Sequence, residues 1–135
     1  SINVAMGHDC VLDPWYAQGS HDMLEVAQMG LHMAQMTGQE DVHKIFAAVT
    51  TNAAKILQLQ DYGLAHGCYA DLVILQASNP AEALRLRPSR LYVIRRGEII
   101  ARSQPAVSRV NLFGETYSVA FRDSEYAPAT DVMLT

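Results

Sequence analysis

The sequence predicts an α/β chain in two parts, a helical first half and a strand-rich second half. Three observations predict it. Apolar residues recur at helical spacing between Met23 and Ala34 and again between Val42 and Val49. After Gly63 the period changes, and Ala70 to Leu75, Leu91 to Ile94 and Glu98 to Ala101 are runs of strand formers. At the start, a short apolar run from Ile2 to Met6 ends at Gly7 and reads as a buried strand.

Each element follows in order. Gly7 to Tyr16 is polar and aromatic with Pro14 in its middle, so it is a loop. Ser20 is the expected N-cap of the first helix, with Asp22 and Glu25 in its first turn. Met23, Val26, Ala27, Gly30, Leu31 and Ala34 form its apolar face, and Gly38 is the expected closing residue. A second helix begins near Glu40-Asp41 and buries Val42, Ile45, Phe46 and Val49. A third runs from about Asn52 to Leu59 with Ala53, Ile56 and Leu57 inward. Gly63 and Gly67 flank a turn, Asn79-Pro80 opens a short helix through Leu84, and Arg95-Arg96-Gly97 turns a hairpin. Val107 to Leu112 is a further strand candidate, and 123–135 reads as a loose tail.

Composition narrows the function classes. Half of the 135 residues are hydrophobic and 18% are charged, which excludes a disordered tail, a coiled coil and a collagen-like repeat. Ten basic residues against fourteen acidic leave a net charge of −4, so a nucleic-acid partner is not expected. Apolar runs are broken well before membrane-spanning length, and no secretory signal is visible. Cys10 and Cys68 form neither a CxxC pair nor a disulfide framework, so a reduced, cytoplasmic setting is the expectation.

The candidate chemistry starts at Asp9, which follows the strand 2–6 and its Gly7. A carboxylate at the C-terminal end of a buried strand can ligate a metal or take a proton; the plainer alternative is a loop Asp that caps a turn or the next helix. His8 is adjacent, but neighbours on an extended segment face opposite ways, so a hydrogen-bonded wall histidine is favoured over a shared metal. His21, His32 and His43 form no HxH or HExxH pattern and read as helix-surface or inter-element histidines; His66 lies in a turn. Met23, Met29, Met33 and Met36 form a stripe, and core packing is favoured over a partner groove. The arginines between Arg85 and Arg102 read as a solvated face rather than an anion site. Cys10 has no Lys or Arg beside it, so a nucleophilic thiol is not expected.

These residues also carry a resemblance. Val4-Ala5-Met6-Gly7-His8-Asp9-Cys10-Val11-Leu12-Asp13-Pro14-Trp15-Tyr16 closely resembles the last-strand motif of bacterial cytosine deaminases, within the amidohydrolase superfamily. The likeness continues through Met29-Gly30-Leu31-His32 and Leu59-Gln60-Asp61-Tyr62-Gly63. Asn52-Ala53-Ala54-Lys55-Ile56-Leu57, Gly67 to Leu75 and Val93 to Ala101 are similar to later superfamily segments, so the match covers roughly 2–112. The GHD-x-x-x-DPW cluster marks the deaminase branch; the later segments mark only the superfamily.

The resemblance implies a fold, an activity and roles. The fold is the C-terminal part of a metal-dependent (β/α)8 TIM barrel, its last strand and following helices, plus C-terminal strands of a small composite β-sandwich. The corresponding boundaries are 1–62 for the barrel part, 63–122 for the sandwich part and 123–135 for the tail. A whole barrel takes about 250 residues, so the chain is expected to be a piece of a longer enzyme and inactive by itself. The implied activity, in the intact enzyme, is hydrolytic deamination of cytosine or a related pyrimidine base, including a 5-substituted one, with release of ammonia in pyrimidine salvage. Asp9 is the implied metal ligand and proton acceptor, and Trp15 an aromatic lining the base pocket. Position 10 departs from the pattern: cytosine deaminases carry a second Asp there, and Cys10 puts the choice of base in question. The implied cofactor is one divalent transition metal, Zn2+ or Fe2+, and the implied partners are a nucleobase, the remainder of the chain and further copies in a homo-oligomer. Two rival readings stand beside this one. One is an amidohydrolase acting on isoguanine, creatinine or an aminotriazine. The other is a non-catalytic assembly or dimerisation module, supported by the absence of the family's HxH pair and later histidines.

Overall fold

The computed structural model describes residues 2–15 and 17–119. The tail expected over 123–135 and the end of the 63–122 segment lie outside the described residues. Among the described residues four helices and five strands follow in order: α1 (Met23–Met33), α2 (Gln39–Ala48), α3 (Thr51–Ile56), β1 (Leu72–Leu75), α4 (Pro80–Leu86), β2 (Arg90–Arg95), β3 (Glu98–Arg102), β4 (Ser108–Leu112) and β5 (Glu115–Val119).

The helices build the core. Leu24 and Ala27 of α1, Ile45 of α2 and Leu84 of α4 are buried together, with Met6, Leu31, Phe46, Val49 and Leu75 packed around them. Gly30 lets α1 approach closely, because a Cβ there would stand 2.7 Å from the Met6 Cε and 3.1 Å from the Ile45 Cδ1. The expected start of α1 is corrected: Asp22, not Ser20, is the N-cap, and its carboxylate accepts the Leu24 N–H at 2.8 Å. The Ser20 hydroxyl instead donates to the Glu25 carboxylate. Gly38 does not close α1 but caps the start of α2, where its N–H donates to the Asp41 carboxylate at 3.2 Å. In α3 the inward residue is Ala54; Ile56 and Leu57 are exposed, against the expectation. Asn79 caps α4 as expected, accepting from Glu82 N–H at 2.9 Å, with Pro80 in the first turn.

The segment 2–6 forms no strand among the described residues, and Ile2 and Val4 are exposed. The expected buried strand is therefore corrected. Its apolar pattern is that of a strand, but a strand forms only where a neighbour supplies the ladder. Here the α2–α3 junction supplies part of one edge. Met6 N–H donates to the Ala48 carbonyl at 3.0 Å, Asn52 Nδ2 to the Val4 carbonyl at 3.0 Å, and Asn3 Nδ2 to the Asn52 carbonyl at 3.1 Å.

β1, β2 and β3 form an antiparallel sheet in that order, with Val73 opposite Val93 and Val93 opposite Ala101. Arg96 and Gly97 turn the β2–β3 hairpin at φ +52 and +86, the signature of a type I′ turn. The adjoining arginines find anions within the chain. Asp71 holds Arg95 at 3.3 Å and accepts the Arg96 N–H at 2.6 Å, while the Arg96 guanidinium stacks 3.6 Å over the Tyr69 ring. β4 pairs antiparallel with β5 in a separate two-stranded sheet turned by Phe113-Gly114. No helix of the described residues is long and apolar enough to cross a membrane.

Candidate functional site

Asp9 stands where the extended segment 2–8 opens into the loop that returns to α1. It is exposed and adopts φ +58; Leu12 and His21 in the same loop are at φ +53 and +60. Left-handed backbone at three non-glycine residues in one loop is held only if the surroundings over-determine it.

Here several contacts do so. The Asp13 carboxylate accepts the Trp15 N–H at 2.8 Å, tightening the Asp-Pro-Trp turn. The Asp13 side chain also hydrogen-bonds the Cys10 thiol; that bond, then burial and the negative charge of Asp9 push the thiol above its ordinary range. Cys10 is therefore a neutral thiol at neutral pH, as expected for a residue without a cationic neighbour. The returning stem seats itself on the outgoing one at Gly19, which is buried. A Cβ there would lie 2.7 Å from the His8 Cε1 and 2.9 Å from both the Cys10 carbonyl oxygen and the Val11 Cγ2. Two residues on, the His21 ring sits 6.3 Å from that of His8, tilted by 54°. The His8 Nδ1 is buried without a hydrogen-bond partner among the described residues, so the hydrogen-bonded wall histidine is corrected.

Behind the loop an apolar groove of about 590 Å³ runs between the extended segment and α1, lined by Met6, His8, Glu25, Val26, Met29 and Met33, among others. Met29 and Met33 are exposed, so this part of the methionine stripe lines a groove rather than a core; Met36 packs on the core as expected. Trp15 is 90% exposed. Asp9, Cys10 and Asp13 thus meet at the neck of the loop, and Trp15 stands beyond them.

Metal binding needs more than this neck provides. No group of three or more His, Cys, Asp or Glu side chains among the described residues could hold an ion. Asp9 is an accessible carboxylate of the type a divalent ion takes, and fits as one ligand of such a site.

Two features of the neck carried no local signal in the sequence. Gly19 is one of several loop glycines, and only the crossing of two stems shows why a side chain is excluded there. Asp22 was legible as a first-turn acid, but its ion pair with Arg90, at 2.5 Å, spans 68 residues.

Comparison with known proteins agrees with this architecture. A family model described as "Amidohydrolase family" matches residues 1–107. The N-isopropylammelide isopropyl amidohydrolase of Pseudomonas sp. strain ADP is 30% identical over 108 residues, covering 79% of this chain and 27% of that protein. A pterin deaminase of Rhizobium rhizogenes is 34% identical over 105 residues, covering 77% and 24%. Among solved structures, the 5-methylcytosine deaminase of Klebsiella pneumoniae liganded with 5-fluorocytosine matches with a TM-score of 0.76 and 39% identity, covering 81% of this chain and 27% of that one. The chain spans about a quarter of the length of these relatives. With the family model matching most of its length, the chain belongs to the amidohydrolase family.

Proposed function

We propose that this chain carries a proton-accepting carboxylate and part of the base pocket of a longer hydrolytic deaminase acting on a 5-substituted cytosine such as 5-methylcytosine. The observation that carries the reading is the juxtaposition at the loop neck: an exposed Asp9 carboxylate beside a neutral, hydrogen-bonded Cys10 thiol. The 39% identity to a 5-methylcytosine deaminase supports it. In this reading residues 1–62 are the last strand and following helices of a barrel, and residues 63–122 contribute strands to a smaller sandwich.

The reaction adds water to the ring carbon that bears the exocyclic amine, breaks that C–N bond, and leaves a carbonyl and ammonia. Asp9 takes a proton from the attacking water and returns it to the departing amine, as a general base and then a general acid. Asp9 would be one ligand of a divalent ion, zinc or ferrous iron, which when bound would supply Lewis-acid activation of the attacking water. Cys10 faces the ring edge. A carboxylate there would be stranded against a methyl group without solvent, whereas a thiol tolerates it, and one buried methyl stabilises by about 0.8 kcal/mol. Trp15 offers a flat apolar face to a flat base.

A second reading, removal of an alkylamine from a triazine or of an amine from a pterin, draws on the ammelide and pterin relatives. Assay of the longer protein against cytosine, 5-methylcytosine, N-isopropylammelide and pterin separates the two. Fastest ammonia release from 5-methylcytosine is the expected result. Turnover of N-isopropylammelide or pterin alone would replace the reading.

A further inference from the structure

The neck of the loop is closed by its returning stem, residues 19–22, and that stem is held from a distant part of the chain. Asp22 ends it. One carboxylate oxygen accepts both the Leu24 N–H at 2.8 Å and the Arg90 Nη2 at 2.5 Å. Arg90 opens β2, opposite Leu75 of β1, so the three-stranded sheet anchors the guanidinium. The Asp22 side chain is 19% exposed and that of Arg90 39%, so the pair is partly shielded from solvent. From Asp22 the contacts run inward: Gly19 rests on His8, Cys10 and Val11, and His21 lies over His8.

We propose that Arg90 is a positioning residue for the pocket loop: through Asp22 it holds the returning stem against Cys10 and so sets the loop that carries Asp9, Cys10 and Trp15. The pocket role rests on the deaminase reading; the loop-holding role does not. The pair is charge-assisted and crosses between elements, the kind of contact that fixes geometry rather than adding much net stability.

Trp15 is the chain's single tryptophan, so its fluorescence reports this loop alone. The test is the anisotropy decay of Trp15 in the 135-residue chain, compared among wild type, Arg90→Met, Arg90→Lys and Asp22→Asn. Asp22→Asn keeps a good helix cap while removing the charge pair, so it stays informative if Arg90→Met fails to fold. The amplitude of fast local motion is expected to rise about twofold in Arg90→Met and Asp22→Asn, with less change in Arg90→Lys. The double variant is expected to add nothing, as for two partners of one interaction. Unchanged local motion in Asp22→Asn, even with lowered thermal stability, would overturn the proposal. In the longer protein, Arg90→Met is expected to lower kcat/KM for the base about tenfold, with Arg90→Lys recovering part of it, since the displaced loop carries Asp9 as well as the pocket edge. Absence of turnover by the wild-type longer protein would sink the deaminase reading and leave the anisotropy result standing.

Discussion

On the proposed reading, Cys10 decides the choice of base. In the longer protein, Cys10→Asp is expected to lower kcat/KM for 5-methylcytosine relative to cytosine by about tenfold, the size of one pocket contact. The comparison is the ratio of the two kcat/KM values; an unchanged ratio removes the substrate argument. Asp9→Asn keeps the shape and loses the proton acceptor, so kcat should fall by about 10²–10⁴; retention of more than a tenth of the activity would contradict the role of Asp9. Gly19 is a different kind of site. Gly19→Ala drives a Cβ to 2.9 Å from the Cys10 carbonyl oxygen, a backbone atom that cannot swing away. A cost of about 1–3 kcal/mol follows from such overpacking, readable as a shifted denaturation midpoint. At this scale the sequence was informative about chemistry and silent about contact. Asp9, Cys10 and Trp15 stood out by their order along the chain, while Gly19 and Arg90 matter only through a stem crossing and a 68-residue span that no local pattern encodes.

Two locally signalled elements came out as read. Asn79-Pro80 opened α4, and a glycine turn made the β2–β3 hairpin. Elsewhere the surroundings overrode the local pattern. The run 2–6 has a strand's composition, but its second edge has no neighbour among the described residues. β5 went unread although Phe113-Gly114 repeats the left-handed pair of Arg96-Gly97, at φ +53 and +87; a polar Glu115-Thr116 start hid the alternation. At the start of α1 two candidate caps lay two residues apart, and the choice fell to Asp22, which Arg90 also holds. That pairing gives α1 a pH dependence. Partial burial by itself pushes the Asp22 carboxyl up, but the Arg90 and Leu24 hydrogen bonds outweigh it and hold the carboxyl below its ordinary range. The contribution is complete above the ordinary aspartate pKa and is lost as pH falls through the lowered value. Acid titration of helicity should therefore show an Asp22-dependent step at the acid end that is absent in Asp22→Asn; identical titrations would contradict the assignment.

For the whole molecule the exposed apolar surface is the dominant fact. Ile2, Val4, Met29 and Met33 are exposed, the last two lining the groove beside residues 6–8, and apolar surface of that kind drives association. Sedimentation of the 135-residue chain should show self-association, and a monodisperse monomer would contradict that. On the proposed reading, this chain contributes a carboxylate and a pocket edge to a site completed by residues outside it. The most direct test of that reading is ammonia release from 5-methylcytosine, measured side by side for the 135-residue chain and the longer protein, each supplied with zinc or ferrous iron. No turnover by the 135-residue chain and turnover by the longer protein is the predicted result; ammonia release by the 135-residue chain itself would contradict it.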